Sequence, residues 1–217
     1  MAPRFTPVLF DLDGTIVDSA PGILASLAWT FEQLRMPVPP PAQMLPWIGP
    51  PILDSFRDLA GLDEDESRYA LAIYREHYGE RGAFDAQLFP GVAEVLGELS
   101  EAGVPLSLAT SKPESTARRI LDHFELSGLF TEITGAGDDE TRSTKAEVVE
   151  EALRRLAAHT ELDRPVLVGD RHHDVEGGAV HRVPTIFVTW GYGAPAETAG
   201  ALAVASSVDE LRGHLTR

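Results

Sequence analysis

The sequence predicts an α/β fold in which a parallel sheet, covered by helices on both faces, is interrupted early by an inserted all-helical segment. Three observations predict it. Short continuous runs of β-branched and aliphatic residues recur with helical patterns between them, as parallel strands buried on both faces require. Residues 18 to about 88 break that rhythm and carry no convincing strand. The composition is globular, with 217 residues, 43% apolar and 24% charged. That is enough for one sizeable core, or for one domain carrying a smaller insertion.

The elements follow in chain order. Val8 to Phe10 is the first strand. The insert then opens with Ile23, Leu24, Leu27, Ala28, Phe31 and Leu34, which form one helical stripe. The proline-rich stretch Pro37 to Pro51 reads as an ordered turn, followed by helical patterns at Ile52 to Ala60 and Glu64 to Tyr78. Trp29, Phe31 and Trp47 are expected in the interior of this insert. The chain returns near Phe89-Pro90-Gly91, which divides it into an α/β core of residues 1–17 and 89–217 and a helical insert of residues 18–88. A helix over Val92 to Ala102 stops at Gly103, the favoured terminal residue. Strand Val104 to Ala109 precedes a helix over Glu114 to Phe124, which starts after Pro113. A weaker strand is read at Leu129 to Thr134, then a helix over Thr144 to His159 with Val148, Val149, Leu153 and Leu156 at helical spacing. Val166 to Val168 and Thr185 to Thr189 are the remaining strands.

Charge and composition narrow the function. The formal net charge is -16. So acidic a surface repels nucleic acid and anionic lipid, so neither is expected as a partner. The absence of cysteine excludes disulfides, thiolate catalysis and Cys-ligated zinc. No secretory leader pattern and no apolar run of membrane-spanning length is read. The expectation is a soluble cytoplasmic protein, monomeric or homodimeric.

Three of the predicted strands end in polar residues. Val8-Leu9-Phe10 runs into Asp11-Leu12-Asp13-Gly14-Thr15, the second core strand into Thr110-Ser111, and Val166-Leu167-Val168-Gly169 into Asp170, with Asp174 a helical turn further on. In a doubly wound sheet these carboxyl ends share one edge, where ligands bind. Asp11, Asp13, Thr110, Asp170 and Asp174 should therefore converge. Two carboxylates about 4 Å apart repel by roughly 4 kcal/mol at an effective dielectric near 20, so a compensating cation is required. An all-oxygen donor set favours a hard ion such as magnesium, and Lys145 is a candidate second cation, with Lys112 a nearby competitor. Such a site attracts a phosphate dianion despite the acidic surface. Asp11 at the strand terminus can attack phosphorus, and Asp13 can act as general acid and then general base. Gly14 permits the tight exit turn, Thr15 can bond phosphate or the turn itself, and Thr110 offers a hydroxyl and an N–H to a phosphate oxygen, with Ser111 beside it.

These motifs, in this order and over nearly the whole chain, resemble the haloacid dehalogenase-like superfamily, and within it the phosphoglycolate phosphatase-like group. The resemblance rests on Asp11-Leu12-Asp13-Gly14-Thr15, Thr110-Ser111-Lys112-Pro113, Lys145, Gly169-Asp170-Arg171-His172-His173-Asp174 and the late loop Trp190-Gly191-Tyr192-Gly193. Ser111 stands where that group more usually has Asn. The resemblance implies a Rossmann-like core, a mobile helical cap formed by the insert, and magnesium-dependent hydrolysis of small phosphorylated metabolites through an aspartyl-phosphate. It also implies that Asp11, Asp170 and the Asp13 backbone carbonyl hold the metal, with Asp174 beside it. The Asp at position 13 favours phosphate esters over carbon–halogen bonds. A phosphomutase of the β-phosphoglucomutase kind stays open, and a phosphate-accepting signalling domain is disfavoured by the chain order. In the cap, Gly49-Pro50-Pro51 is expected to face the site, with Arg57 reaching a second anion of the substrate. His172 and His173 are expected to point apart as surface histidines, which argues against a metal there. Asp174 is also a candidate N-cap for a helix over Val175 to Val180, and Arg171 is open between substrate contact and pairing with an acidic neighbour.

Overall fold

The computed structural model describes residues 3–216. Its centre is a six-stranded sheet of β1 (Val8–Phe10), β4 (Leu106–Pro113), β5 (Glu132–Ala136), β6 (Val166–Gly169), β7 (Thr185–Val188) and β8 (Ala203–Ala205), in the order β5-β4-β1-β6-β7-β8. Neighbouring strands are parallel, and β1 lies between β4 and β6, with Val8 opposite both Leu106 and Val166. β1 is thus flanked by strands about a hundred residues and more away in sequence, which brings all the candidate carboxylates to one edge.

The period-two alternation of a strand decides which helices cover which face. Leu9, Ala109 and Leu167 pack with Val148, Val149, Ala152 and Leu156 of helix α7 (Lys145–Leu156) and with Val183. Val8, Phe10, Leu106, Leu108, Val166 and Val168 face the other way, onto α5 (Val92–Glu101), α6 (Glu114–His123) and α9 (Val208–Thr216). α8 (His172–Val180) follows β6. The sequence reading does not include β8 and α9. The second core strand runs four residues beyond Ala109, to Pro113, and the weak strand sits at Glu132–Ala136 after a short 3-10 turn at Ser127–Leu129.

The insert holds α1 (Ala20–Gln33), α2 (Pro41–Met44), α3 (Ile52–Asp58) and α4 (Glu64–Glu80). Asp63 and Glu66 form a reciprocal capping box at the start of α4, which satisfies two otherwise orphan N–H groups. The insert departs and returns through a two-residue antiparallel ribbon, β2 (Val17–Asp18) against β3 (Gln87–Leu88). Strands this short carry no periodic signal, so they were invisible in the sequence. Phe31 and Trp47 are buried in the insert, but Trp29 is 43% exposed and stacks on His77 with ring centroids 5.3 Å apart, contrary to expectation. An aromatic series runs through the insert from Phe31 to Trp47, Phe56, Tyr74 and Tyr78. The insert and the sheet share one continuous apolar cluster.

Candidate active site

The polar ends of β1, β4 and β6 meet at one edge of the sheet. Asp11 follows β1, and its backbone N–H donates to the Val168 carbonyl of β6 at 2.9 Å, which fixes the start of the Asp11 loop to the neighbouring strand. Carboxylate oxygens of Asp11, Asp170 and Asp174 all lie within 4.8 Å of one another, and the three residues are buried. These residues are 159 and 163 positions apart in the chain at their extremes, so topology alone brings them together.

Lys145 enters this group from α7. It occupies the first position of that helix's buried stripe, followed by Val148, Val149, Ala152 and Leu156, and Thr144 and Glu147 cap the helix reciprocally. Its Nζ lies 2.7 Å from Asp11 Oδ1 and 2.8 Å from Asp174 Oδ1, and donates to the Ala109 carbonyl at 2.9 Å. Burial on its own would lower the Lys145 pKa. Asp11 and Asp174 more than reverse that and hold it raised, so the ammonium stays charged. Lys112 is a second cation of the site and no rival to the first. Its Nζ is 3.1 Å from Asp13 Oδ2 and donates to Tyr78 Oη at 2.7 Å. Asp13 Oδ1 is buried without a partner.

Asp170 has no lysine. Its Oδ2 accepts from the Tyr192 N–H at 2.6 Å, and Thr15 Oγ1 lies 3.5 Å from its Oδ1. Burial, then Asp174 and Asp11, push its carboxyl well above the usual range. Glycine makes room for it. Gly14 has φ +79, and a Cβ there would fall 2.2 Å from Asp170 Oδ2, while one at Gly191 would fall 2.3 Å from the same oxygen. Thr110 is buried beside the group, its Oγ1 accepting from Lys112 N–H at 3.3 Å.

Four buried carboxylates therefore face two buried ammonium groups. The excess of negative charge and the all-oxygen donors fit a hard divalent cation.

Two cavities lie between the insert and the sheet. One, of about 270 Å³, is lined by Asp13, Lys112, Trp47, Tyr74 and Tyr78, among others. The other, of about 430 Å³, is lined by Lys145, Ser111, His173 and Glu176. Gly49, Pro50 and Pro51 line both. Arg171 ties insert to core: its Nη1 donates to the Ile48 carbonyl, and its Nε to Glu197 Oε2 at 3.0 Å.

Three expectations need correction. Arg57 does not reach the site. It is exposed, pairs with Asp54, lies 2.9 Å from Glu64, and lines neither cavity, because these two carboxylates hold its guanidinium. His172 and His173 do not point apart: their ring centroids are 3.8 Å apart at 41°. Asp174 is not an N-cap residue. α8 begins at His172, so Asp174 sits in its first turn and reaches back to accept from Arg171 N–H at 3.0 Å. Sequence reasoning missed Tyr78 and the pairing of Lys112 with Asp13. Period-two spacing from Thr110 along β4 was the available signal for Lys112.

A Rossmann-like sheet with buried acids at its ligand edge, joined to a helical insert, defines an α/β hydrolase. The chain belongs to the haloacid dehalogenase-like hydrolases, whose family model matches residues 8–188. It is 41% identical to the tyrosine-protein kinase PtkA of Mycobacterium tuberculosis over 94% of this chain and 70% of that one. It is 35% identical to a 5'-nucleotidase of Pseudomonas aeruginosa over 98% of this chain and 90% of the relative, and 27% identical to the phosphoglycolate phosphatase of Escherichia coli over 85% and 81%. The crystal structure of a predicted phosphatase from Clostridium acetobutylicum superposes with a TM-score of 0.91 at 34% identity, covering 97% of both chains.

Proposed function

We propose that this protein hydrolyses small phosphate monoesters, with Asp11 as nucleophile and residues 18–88 acting as a cap over the site. The observation that carries the proposal is the meeting of Asp11, Asp170 and Asp174 around Lys145, with Asp13 turned toward the neighbouring cavity. An Asp11 oxygen attacks phosphorus, the ester P–O bond breaks, and Asp13 gives a proton to the departing alcohol oxygen. Asp13 then takes a proton from water, whose oxygen attacks the aspartyl-phosphate. Inorganic phosphate leaves and the Asp11 carboxylate is restored. Lys145, with its Nζ 2.7 Å from Asp11 Oδ1, orients Asp11 between attacks. Thr110 and Ser111 are the phosphate contacts of β4, and Gly14 and Thr15 those of the loop after β1. Asp11, Asp170, Asp174 and the Asp13 backbone would hold magnesium. When bound, the ion would neutralise charge shared between carboxylate and phosphate.

Asp13 lines the cavity of about 270 Å³, so the leaving group belongs there. Its walls favour a flat group, because Trp47, Tyr74 and Tyr78 supply aromatic surface. A nucleoside or aryl phosphate suits these aromatic walls. The test is phosphate release by Asp11→Asn from an aryl phosphate in magnesium. We expect none above background, with an unchanged circular dichroism spectrum. Turnover near wild type would sink the assignment.

A second reading is transfer of the Asp11-bound phosphoryl group to a tyrosine hydroxyl instead of water. It rests on the 41% identity to PtkA and on a cavity able to take a phenol ring. Labelled ATP supplied with a tyrosine peptide separates the two: label on the peptide supports transfer, and label in inorganic phosphate supports hydrolysis.

A further inference from the structure

Outside the aspartate cluster, one other group of side chains among the described residues brings metal-binding atoms together. His172, His173 and Glu176 each offer a donor atom, and these atoms lie within 4.8 Å of one another. The spacing explains it. With α8 beginning at His172, positions 172 and 176 stand at i and i+4, and 173 and 176 at i and i+3, on neighbouring parts of one helix face. Asp174, in the same turn, is buried and directed inward to Lys145. The first turn of α8 therefore presents a carboxylate to the aspartate cluster and the His173 imidazole to the crevice between insert and core, with His172 beside it.

We propose that His172, His173 and Glu176 bind a borderline divalent transition metal of the zinc class, at a site separate from the magnesium site. Two nitrogens and one carboxylate oxygen are ligands suited to zinc, whereas the all-oxygen aspartate cluster suits a hard ion. The supporting shell is already built. His172 Nδ1 lies 2.7 Å from Glu197 Oε2, which leaves Nε2 free to ligate. A carboxylate on the far nitrogen is the usual partner of a metal-bound histidine. Glu197 is itself held by the N–H groups of His172 and Ala194, both at 2.9 Å, and by Arg171 Nε at 3.0 Å. His173 and Glu176 form one wall of the crevice of about 430 Å³, and Asp54 and Asp58 of the insert form another. Three protein ligands leave a coordination position open. A metal there stands between the two parts of the molecule, where an insert carboxylate can complete its shell and restrain the insert against the core.

Isothermal titration of zinc chloride into the full chain, held in excess magnesium, tests this. One zinc per chain is expected. His173→Ala and Glu176→Gln should each weaken binding at least about tenfold, and Glu197→Gln about 10- to 100-fold. Asp170→Asn should leave zinc affinity unchanged. Glu176 is exposed and His173 partly so, and melting curves in magnesium verify that these variants fold. Wild-type affinity in both ligand variants overturns the proposal, as does loss of zinc binding in Asp170→Asn, which would mean that zinc occupies the aspartate cluster.

Discussion

Replacing Lys145 with Met keeps the length of the side chain and removes its charge. In the native protein that ammonium is buried and touches Asp11, Asp174 and the Ala109 carbonyl at 2.7, 2.8 and 2.9 Å. Its loss leaves two buried carboxylates uncompensated beside a third, Asp170. Removing one partner of a buried pair costs about 3–5 kcal/mol. In a chain of this size each kcal/mol moves the melting midpoint by about 2–4 °C, so Lys145→Met should melt about 6–20 °C below wild type in EDTA. The pH dependence has a definite sign. The carboxyls of Asp170 and Asp174 are raised above their ordinary value in the folded chain, mainly by burial. Groups raised by folding favour the fold fully below their unfolded pKa, and that contribution is lost as pH rises through the folded value. The variant, which lacks the charge that holds Asp174 down, should therefore be worse near pH 8 than near pH 5. Magnesium should narrow the gap by supplying the missing positive charge. Melting by circular dichroism at both pH values, with EDTA or magnesium, reads all of this. A midpoint in EDTA near pH 8 within about 2 °C of wild type would show that Lys145 is not the counter-charge of this cluster.

Gly14→Ala places a Cβ 2.2 Å from Asp170 Oδ2 at φ +79. The backbone penalty alone is about 1–2 kcal/mol, and displacement of Asp170 should weaken magnesium binding, as read by magnesium-dependent protection from thermal unfolding. Tyr78→Phe removes the 2.7 Å bond from Lys112 Nζ and keeps the ring beneath it. Bonds to charged groups contribute about 1.5–3 kcal/mol, so kcat should fall about tenfold or more while magnesium affinity is unchanged, because no metal-facing carboxylate is touched. Arg57→Ala should leave kcat/KM within about twofold for anionic and neutral leaving groups alike, since surface pairs such as those of Arg57 with Asp54 and Glu64 contribute about 0–1 kcal/mol and only locally.

The buried parallel strands and the break in rhythm at the insert were legible because they depend on local composition. Leu9 has to be apolar whichever helix covers it. The carboxylate convergence was legible for a different reason: strand ends in a parallel sheet share an edge, so one topological rule placed Asp11, Asp170 and Asp174 together. Lys145 was harder to see. A lysine at the head of an apolar helical stripe looks like a solvated helix-start residue until the stripe is known to face β4. Contacts between insert and core were not legible at all. Tyr78 on Lys112, Arg171 on Ile48 and Tyr192 on Asp18 depend on how two folded parts meet, and neither periodicity nor spacing encodes that. Arg57 misled because charge alone was read as reach. Its neighbours Asp54 and Glu64 were in plain view in the sequence.

A single apolar cluster spans insert and sheet, and this bears on how product escapes. Parting the two would wet aromatic and aliphatic faces now in contact, at about 25 cal/mol for every Å² bared. Even about 150 Å² of new exposure would cost nearly 4 kcal/mol on that scale, which would leave roughly one molecule in several hundred open at rest. Such a chain would spend most of its time shut, and departure of the alcohol and phosphate would be gated by rare excursions. A pre-steady-state burst of alcohol, followed by a slower steady rate, would be its kinetic trace.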